Sequence, residues 1–413
     1  MSTKGRIVLC RLGFLLFCVL PTLAVGVVIA RSESKDAWER QLSAELGLSV
    51  TIEGVSRSRP GVILFSKVHV RDSEFGLLAN IEKAEVANHD QGVVVVASQV
   101  TLQKGQLREI HQLLHDRVLR RWEAANGVVA FRANELRLTS ADSTNPVEKF
   151  TDAICKISPT EQGCRIAFSF RSPDNASGET VQCLAERKRT DSRPPSTGWM
   201  IKTGGAAIRC SVLSETIPSV RHLGSNCRFN GMIWVEQTGD GYNGDVNGRF
   251  INVDLKQLVS GQFPHKMEGN AQFELKRARF QNGRLMDAAG SLECQQGAIG
   301  SELLAAATEN LRMRSAERSL AAARNFRNMN MSFTINQREL AIRGQADNRG
   351  SVLHDAMQQP LLIEASSPTV DVLALVRLLV PSSNYQVPLT EQTAPILGFF
   401  PLPVAERTRH SIR

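Results

Sequence analysis

Apolar and polar residues alternate strictly along several stretches of this chain, and this alternation restricts the fold more than any other feature. The clearest stretches carry Met267, Ala271, Phe273 and Leu275 in one case and Met331, Phe333 and Ile335 in the other. Successive side chains of a strand point to opposite faces, so the pattern predicts antiparallel strands with one apolar face. That face must be covered by helices, by another sheet or by lipid. We predict a mainly β fold with some α, built on curved antiparallel sheets with short crossover helices.

A second constraint is the uncharged apolar run of residues 12–30, which lies between Arg11 and Arg31. As a helix rising about 1.5 Å per residue it would be about 28 Å long, close to the roughly 30 Å of a bilayer core. Lys4, Arg6 and Arg11 precede the run without an acidic residue, which keeps the N-terminus cytosolic. We therefore predict an N-terminal transmembrane helix, a signal-anchor, with the body outside the cytosol. A cleaved signal peptide is the alternative.

Cysteine usage agrees with an exported body. Six of the eight cysteines follow the apolar run, and all six are candidate disulfide cysteines: Cys155, Cys164, Cys183, Cys210, Cys227 and Cys294. The sequence does not choose among the pairings, although Cys155 with Cys164 could close a hairpin and Cys210 with Cys227 a short loop. The alternative is that all six are buried thiols that pack as small apolar residues.

Helical periodicity interrupts the strands. Trp38, Leu42 and Leu46 recur at helical spacing before Gly47, and further apolar helical faces are expected at 106–121, 299–311 and 370–380. The predicted segments are 1–11 (cytosolic tail), 12–30 (transmembrane anchor), 31–146 (N-terminal β-rich domain with helices), 147–225 (cysteine-containing middle region), 226–345 (antiparallel β-sheet region with helices) and 346–413 (C-terminal helix and Pro-rich tail).

The charge balance bears on the partners. The chain carries 49 basic and 41 acidic residues, and without Lys4, Arg6 and Arg11 the exported part has 46 against 41, a net charge of +5. Basic residues cluster at 187–189 and at 312–327, which favours anionic lipid headgroups beside a bilayer. Interspersed acids leave an ordinary solvated surface as the other interpretation. Aromatic residues make up only 6% of the chain, so nucleic acid is not an expected partner.

Catalytic and cofactor motifs are weak. His111 and His115 have a spacing that suits a metal on one helical face, but Gln112 stands where a zinc protease would have glutamate. Ser32 with Lys35 has the SxxK spacing of penicillin-recognising enzymes, and Lys202-Thr203-Gly204 matches their short KTG element, but no Ser-Asp-Asn element lies between the two. The sequence contains no GxSxG elbow and no P-loop, and no GxGxxG motif that follows a strand and opens a helix. We therefore expect a protein that is not an enzyme and that needs neither metal nor cofactor.

The order of these features resembles the AsmA-like proteins of bacterial envelopes. The resemblance rests on the anchor, the following amphipathic helix, the strands of residues 48–102 with their Pro60-Gly61 turn, and residues 228–311, about a third of the chain. It implies a taco-like apolar β-groove that holds lipid acyl chains and conducts them between membranes, with no catalytic residues. It also implies a single-pass protein of the inner (cytoplasmic) membrane with its body in the periplasm.

These expectations combine into one functional hypothesis. The chain is predicted to bind or handle membrane lipid on the apolar face of its sheet, and so to contribute to envelope biogenesis or homeostasis. The predicted lipid-facing residues are Met267, Ala271, Phe273, Leu275, Met331, Phe333 and Ile335. The alternative is a non-catalytic anchored scaffold or assembly factor, whose sheet edges and basic clusters bind other envelope proteins while the apolar face is a closed core.

Overall fold

A computed structural model describes residues 35–89, 92–121, 127–140, 147–172, 178–190, 193–239, 241–315, 323–367 and 369–380. The predicted cytosolic tail, the anchor at residues 12–30 and the tail beyond residue 380 lie outside the described residues. Among the described residues, no helix is both long enough and apolar enough to cross a membrane. The fold is mainly β, as predicted.

Two compact units make up the chain. Unit 1 comprises Met1–Arg117 and Ala125–Lys156, and unit 2 comprises Val118–Ala124 and Ile157–Arg413. The predicted region 31–146 therefore falls mostly in unit 1. The regions predicted at 147–225, 226–345 and 346–413 fall mostly in unit 2.

Unit 1 begins with the amphipathic helix expected before Gly47. Its elements are α1 (Lys35–Leu46), β1 (Ser49–Arg59), β2 (Val62–Asp72), β3 (Gly76–His89), β4 (Gly92–Gln103), α2 (Leu107–Leu113) with a following π-turn (Leu114–Leu119), β5 (Val128–Thr139) and the first part of β6 (Glu148–Thr160). Strands β1 to β4 pair antiparallel in sequence order, but β4 and β5 run parallel. The expectation of purely antiparallel sheets is wrong here, because a crossover through α2 returns the chain to the same end of the sheet.

Helix α1 covers the first strand of unit 1. Trp38 packs edge-on against Phe65, with ring centroids 5.6 Å apart, above a core that includes Ile52. The helix also uses polar side chains, since Glu39 Oε1 accepts the Ile52 N–H at 2.7 Å and Ser43 Oγ accepts the Val50 N–H at 2.9 Å. These two bonds occupy backbone donors of β1 that would otherwise be open to another strand.

Unit 2 contains the longest strands. Its elements are β7 (Gly163–Arg171), β8 (Val181–Thr190), β9 (Arg193–Lys202), β10 (Ile208–Arg209), α3 (Cys210–Leu213), a 3-10 helix (Pro218–Leu223), β11 (Arg228–Thr238), β12 (Gly241–Asp254), a π-turn (Lys256–Ser260), β13 (Met267–Gln281), β14 (Arg284–Gly300), α4 (Ser301–Asn310), β15 (Arg314–Ser315), β16 (Ala323–Asn336), β17 (Glu339–Gly344), β18 (Ser351–Asp355), β19 (Pro360–Ile363), β20 (Val370–Asp371) and α5 (Leu373–Leu379).

The sheet of unit 2 is built from antiparallel pairs. The neighbours run β7, β8, β9, β11, β12, β13, β14 and β16, and β16 then pairs with both β17 and β18. Strands β9 and β10 likewise share one edge of β11. The Asn282-Gly283 turn joins β13 to β14 with both residues at positive φ, as expected for a two-residue hairpin loop.

Two local features of unit 2 are set by neighbouring elements. The Gly- and Asn-rich residues 241–248 belong to the 14-residue strand β12, where pairing on both sides outweighs poor strand propensity. The π-turn that follows begins at Lys256, and Asp254 caps it, because its Oδ1 accepts the N–H groups of Lys256 and Gln257 at 2.9 and 3.3 Å.

Cysteine pairing follows one of the two suggested pairs. Cys210 and Cys227 form a disulfide, with their Cα atoms 5.3 Å apart. The suggested pairing of Cys155 with Cys164 is wrong, since both are free thiols. The turn between β6 and β7, residues 161–162, begins six residues after Cys155 but ends only two residues before Cys164. Cysteines that bridge two hairpin strands must lie about equally far from the turn.

The disulfide should contribute substantially to the stability of unit 2. Replacing Cys210 and Cys227 by alanine opens a loop closed over 17 residues, and we expect a loss of about 3 kcal/mol in the free energy of unfolding. Urea denaturation of the full chain measures this change. Cys294→Ala is the control for deleting a buried thiol. A double variant no less stable than this control would contradict a structural role for the bond.

Asp347 orders the connection between β17 and β18. Its carboxylate accepts bonds from the Ser351 hydroxyl at 2.7 Å, from the backbone N–H groups of Ser351 and Arg349, and from His354 Nε2 at 3.1 Å. The Ser351 hydroxyl is the largest cause that holds the pKa of this carboxyl well below its usual range. A carboxylate stabilised in this way contributes to folding only while it is charged.

This arrangement predicts a pH-dependent stability. Asp347→Asn should unfold at a lower urea concentration than the wild type at pH 7. The difference should shrink below about pH 4, where the unfolded wild-type chain takes up a proton that the folded carboxylate resists. Urea denaturation at pH 7, 5 and 3 checks this, with Glu339→Gln on the neighbouring strand as control. A difference that stays constant with pH would refute the assignment.

Candidate functional site

The register of unit 2 places apolar residues opposite one another across the whole sheet. One such row takes a single residue from each strand in turn: Phe168, Cys183, Ile201, Ile233, Val246, Ala278, Ala288, Ile335 and Leu340. We call the side of the sheet that carries this row the apolar face. It is continuous over nine strands because the bulges in β12, β13 and β14 keep the apolar residues on the same side.

A ladder of four phenylalanines crosses the apolar face, and we call it the phenylalanine ladder. Phe229, Phe250 and Phe273 lie directly opposite one another on β11, β12 and β13, with ring centroids 4.8 and 6.1 Å apart. The fourth member, Phe333 on β16, stacks on Phe273 at 5.7 Å with an interplanar angle of 7°. Aromatic contacts at these distances stabilise a sheet beyond the area that they bury.

Gly290 explains how Phe333 reaches across an intervening strand. This glycine lies on β14, directly between Leu275 of β13 and Phe333 of β16. A Cβ built on Gly290 would come within 2.8 Å of the Phe333 ring, so the ring occupies the space that a side chain would fill. An aromatic ring laid over a strand glycine is a known way to compensate for its missing side chain.

The apolar face is covered at one end and partly open in the middle. Phe229 is fully buried and Phe250 is 6% exposed, whereas Phe273 and Phe333 are only half-buried. Helical segments seal the covered end through their buried side chains: Val220, Val259, Leu303, Ala306, Ala307, Ala374, Val376 and Leu378. Helices α4 and α5 contact each other there, and His265 Nε2 bonds the Leu378 carbonyl at 2.7 Å.

All seven predicted lipid-facing residues lie on the apolar face, in two environments. Three of them are buried among protein side chains: Met267, Ala271 and Ile335. Four are half-buried in the middle of the sheet: Phe273, Leu275, Met331 and Phe333. Sequence reasoning did not assign Phe250 to this surface, because the glycines around it obscured the alternation of β12.

The opposite face of the same strands is polar. Arg249 Nε lies 3.2 Å from Glu274 Oε1 across β12 and β13. Asp287, which is almost buried, is held by Arg277 and Arg279 at 2.6 Å each. An ion pair with this geometry ties β13 to β14, while the guanidinium groups stay largely in solvent. The two faces therefore differ in chemistry as a half-solvated antiparallel sheet requires.

The candidate chemical groups do not assemble into a reactive centre among the described residues. Burial, with a smaller contribution from the charge of His115, lowers the pKa of His111. No group of three or more potential metal ligands occurs in the described part of the chain. Burial raises the pKa values of the Cys155 and Cys164 thiols to about 11, so these thiols stay protonated at neutral pH.

The basic side chains of residues 187–189 make polar contacts within the chain. Arg187 Nη1 donates to Thr197 Oγ1 at 2.8 Å, Lys188 Nζ lies 3.6 Å from Glu186 Oε2, and Arg189 donates to the Arg120 carbonyl. These contacts leave fewer donors for a partner than the sequence suggests.

Comparisons with protein-family models, with curated proteins and with solved structures give no match to this chain. The resemblance to the AsmA-like family therefore stays a prediction from the sequence pattern. The apolar face is the most distinctive feature of the described residues.

The packing of Phe333 on Gly290 predicts a local sensitivity. Gly290→Ala places a methyl group against the Phe333 ring and the Glu274 carbonyl, and we expect a loss of about 1–3 kcal/mol in the free energy of unfolding. Gly105→Ala is the control, since a Cβ at Gly105 would meet no atom within 4 Å. Urea denaturation compares the two variants. Equal stability would show that the ring does not need this space.

Proposed function

We propose that this chain is a membrane-anchored envelope protein that binds lipid acyl chains on the apolar face of unit 2, and so contributes to envelope biogenesis or homeostasis. The observation that carries the proposal is the phenylalanine ladder, which runs from the fully buried Phe229 to the half-buried Phe333. Such a surface offers an acyl chain an apolar path that begins in contact with solvent and ends against a packed core. No bond is broken in this role.

The energetics favour an acyl chain as the occupant. Half-buried apolar residues surround the outer rungs of the ladder, among them Leu275, Leu292 and Met331. Each methylene group removed from water contributes about 0.8 kcal/mol, so a chain laid along several strands gains enough to remain bound. A flexible chain needs no fixed polar partners, and the apolar face offers few.

Two further features support a location beside a membrane and outside the cytosol. Residues 12–30 have the length and flanking charges of a single membrane span. The Cys210–Cys227 disulfide is typical of oxidising compartments. The proposal therefore has the N-terminus in the cytosol and unit 2 in the periplasm or an equivalent space.

The scaffold hypothesis makes a different use of the same sheet. In that case the half-buried residues of the apolar face belong to the edge of a closed hydrophobic core, and other envelope proteins bind to a different surface. The contacts that Arg187, Lys188 and Arg189 make within the chain weigh against a docking surface at 187–189. The exposed apolar residues of unit 1, Val96, Val147 and Ile154, are the surface that this alternative would use.

Crosslinking tests the proposal. The full chain is incubated with a phospholipid that carries a photoactivatable group in its acyl chain, and crosslinked peptides are mapped by mass spectrometry. We expect crosslinks in β13, β14 and β16. The double variant Phe273→Glu with Phe333→Glu should lose at least nine-tenths of them, because burying a carboxylate against an acyl chain is costly.

The matched control places glutamates next in sequence on the polar face, as Gln272→Glu with Thr334→Glu. Circular dichroism checks that each variant keeps its strands. Crosslinks retained in the control and lost in the first variant support acyl-chain binding. Crosslinks found only outside unit 2 in the wild type would show that the apolar face is a closed core and would favour the scaffold hypothesis.

A further inference from the structure

The first strand of unit 1 is protected along only part of its outer edge. Strand β1 pairs with β2 on one side, and on its other side no strand lies beside it among the described residues. On that outer side, Glu39 and Ser43 of α1 accept the N–H groups of Ile52 and Val50. Helix α1 therefore closes the beginning of the edge.

The end of the same edge presents backbone donors. The register between β1 and β2 keeps one offset from Val50 to Ser56. Backbone groups of a strand point alternately to its two neighbours, so the N–H groups of Gly54 and Ser56 point outward like that of Ile52. Neither of these two N–H groups has a partner in the described part of the chain. All residues from Ser56 to Arg59 are exposed.

An unpaired strand edge is a template for another strand, and proteins usually block it. In β1 the contacts from α1 block the beginning, and the strand ends before the turn at Pro60. Residues 54–59 remain between these two limits, and we call them the open edge. The open edge is long enough for a short antiparallel pairing and for little else.

The charges beside the open edge suit pairing with a second copy of the same strand. Glu53 and Arg59 lie three residues on either side of Ser56. A two-fold axis at Ser56 places Glu53 of each copy opposite Arg59 of the other, and opposite charges in such positions are stabilising. Glu53 Oε2 lies 2.8 Å from Lys67 Nζ, but its side chain is still 55% exposed and can accept from a second cation.

The same axis uses the open donors and avoids those already bonded. Ser56 would exchange backbone bonds with Ser56 of the second copy, and Gly54 would pair with Ser58. Ile52, whose N–H is bonded to α1, would lie opposite Pro60, which has no N–H to donate. An axis two residues earlier would need the N–H of Ile52, so the contact with α1 selects the axis at Ser56.

We propose that two copies of this chain pair antiparallel through the open edge of β1, about a two-fold axis at Ser56. The interface is one short ladder of backbone bonds with an ion pair at each end, so it is small and the dimer dissociates readily. The inference concerns unit 1 alone and does not depend on acyl-chain binding by unit 2.

Cysteine crosslinking of the full chain in a non-ionic detergent tests the register. Ser56→Cys places a thiol of each copy on the two-fold axis, and mild oxidation should give a disulfide-linked dimer on a non-reducing gel. The matched control is Thr51→Cys, an exposed position on the same strand beside the part that α1 closes. The control should give no more linked dimer than the wild type, which carries only its own cysteines.

Sedimentation of the full chain over a range of protein concentrations tests the contacts. Ser56→Pro removes an N–H that β2 does not use, so it should weaken the dimer at least tenfold while circular dichroism shows the same strand content. Arg59→Glu and Glu53→Arg should each weaken self-association at least threefold. An equimolar mixture of these two variants should restore it, because opposite charges then meet at both ends of the ladder.

Three results would overturn the inference. One is a wild type that stays monomeric at every concentration, and another is equal crosslinking of Ser56→Cys and Thr51→Cys. The third is a dimer that neither Ser56→Pro nor the charge reversals weaken, which would show that the copies associate through another surface. None of these results bears on the acyl-chain crosslinks in unit 2.

Discussion

Unit 2 depends on the direct opposition of apolar residues across its antiparallel strands. A shift of one residue in the register of any strand pair would move every side chain of that strand to the other face. The burial of the apolar face therefore sets the register. Where β12 and β13 change register, a bulge takes up the extra residue and the apolar row continues from Val246 to Ala278. The covered end, the phenylalanine ladder and the polar face all follow from this constraint.

Space across the strands is controlled by glycine. Gly290 leaves room for the ring of Phe333. Further along β14, Gly297 leaves room for the ring of Phe326 in the same way. Phe326 is buried, whereas Phe333 is half-buried. A phenylalanine ring packed over a glycine therefore occurs both in the buried part of the sheet and in its half-buried middle.

The polar face carries a separate set of constraints. Ion pairs such as Arg249 with Glu274 run between the strands in the middle of the sheet. At the end near β10, Arg209 lies opposite Arg228, and the two adjacent cysteines form the Cys210–Cys227 disulfide.

The sequence by itself determined the strand character of unit 2, the common face of residues such as Phe273 and Phe333, and the helices that cover that face. These features depend on local periodicity, which a single sequence records. It did not determine the parallel pairing of β4 with β5, the strand that runs through Gly244 and Gly248, or the choice of Cys210 with Cys227. It also could not show that Arg209 and Arg228 meet, since they are 19 positions apart in sequence. Only the tertiary structure decided these, because they depend on which strands become neighbours, and that choice is made by the burial of the whole face rather than by any one segment.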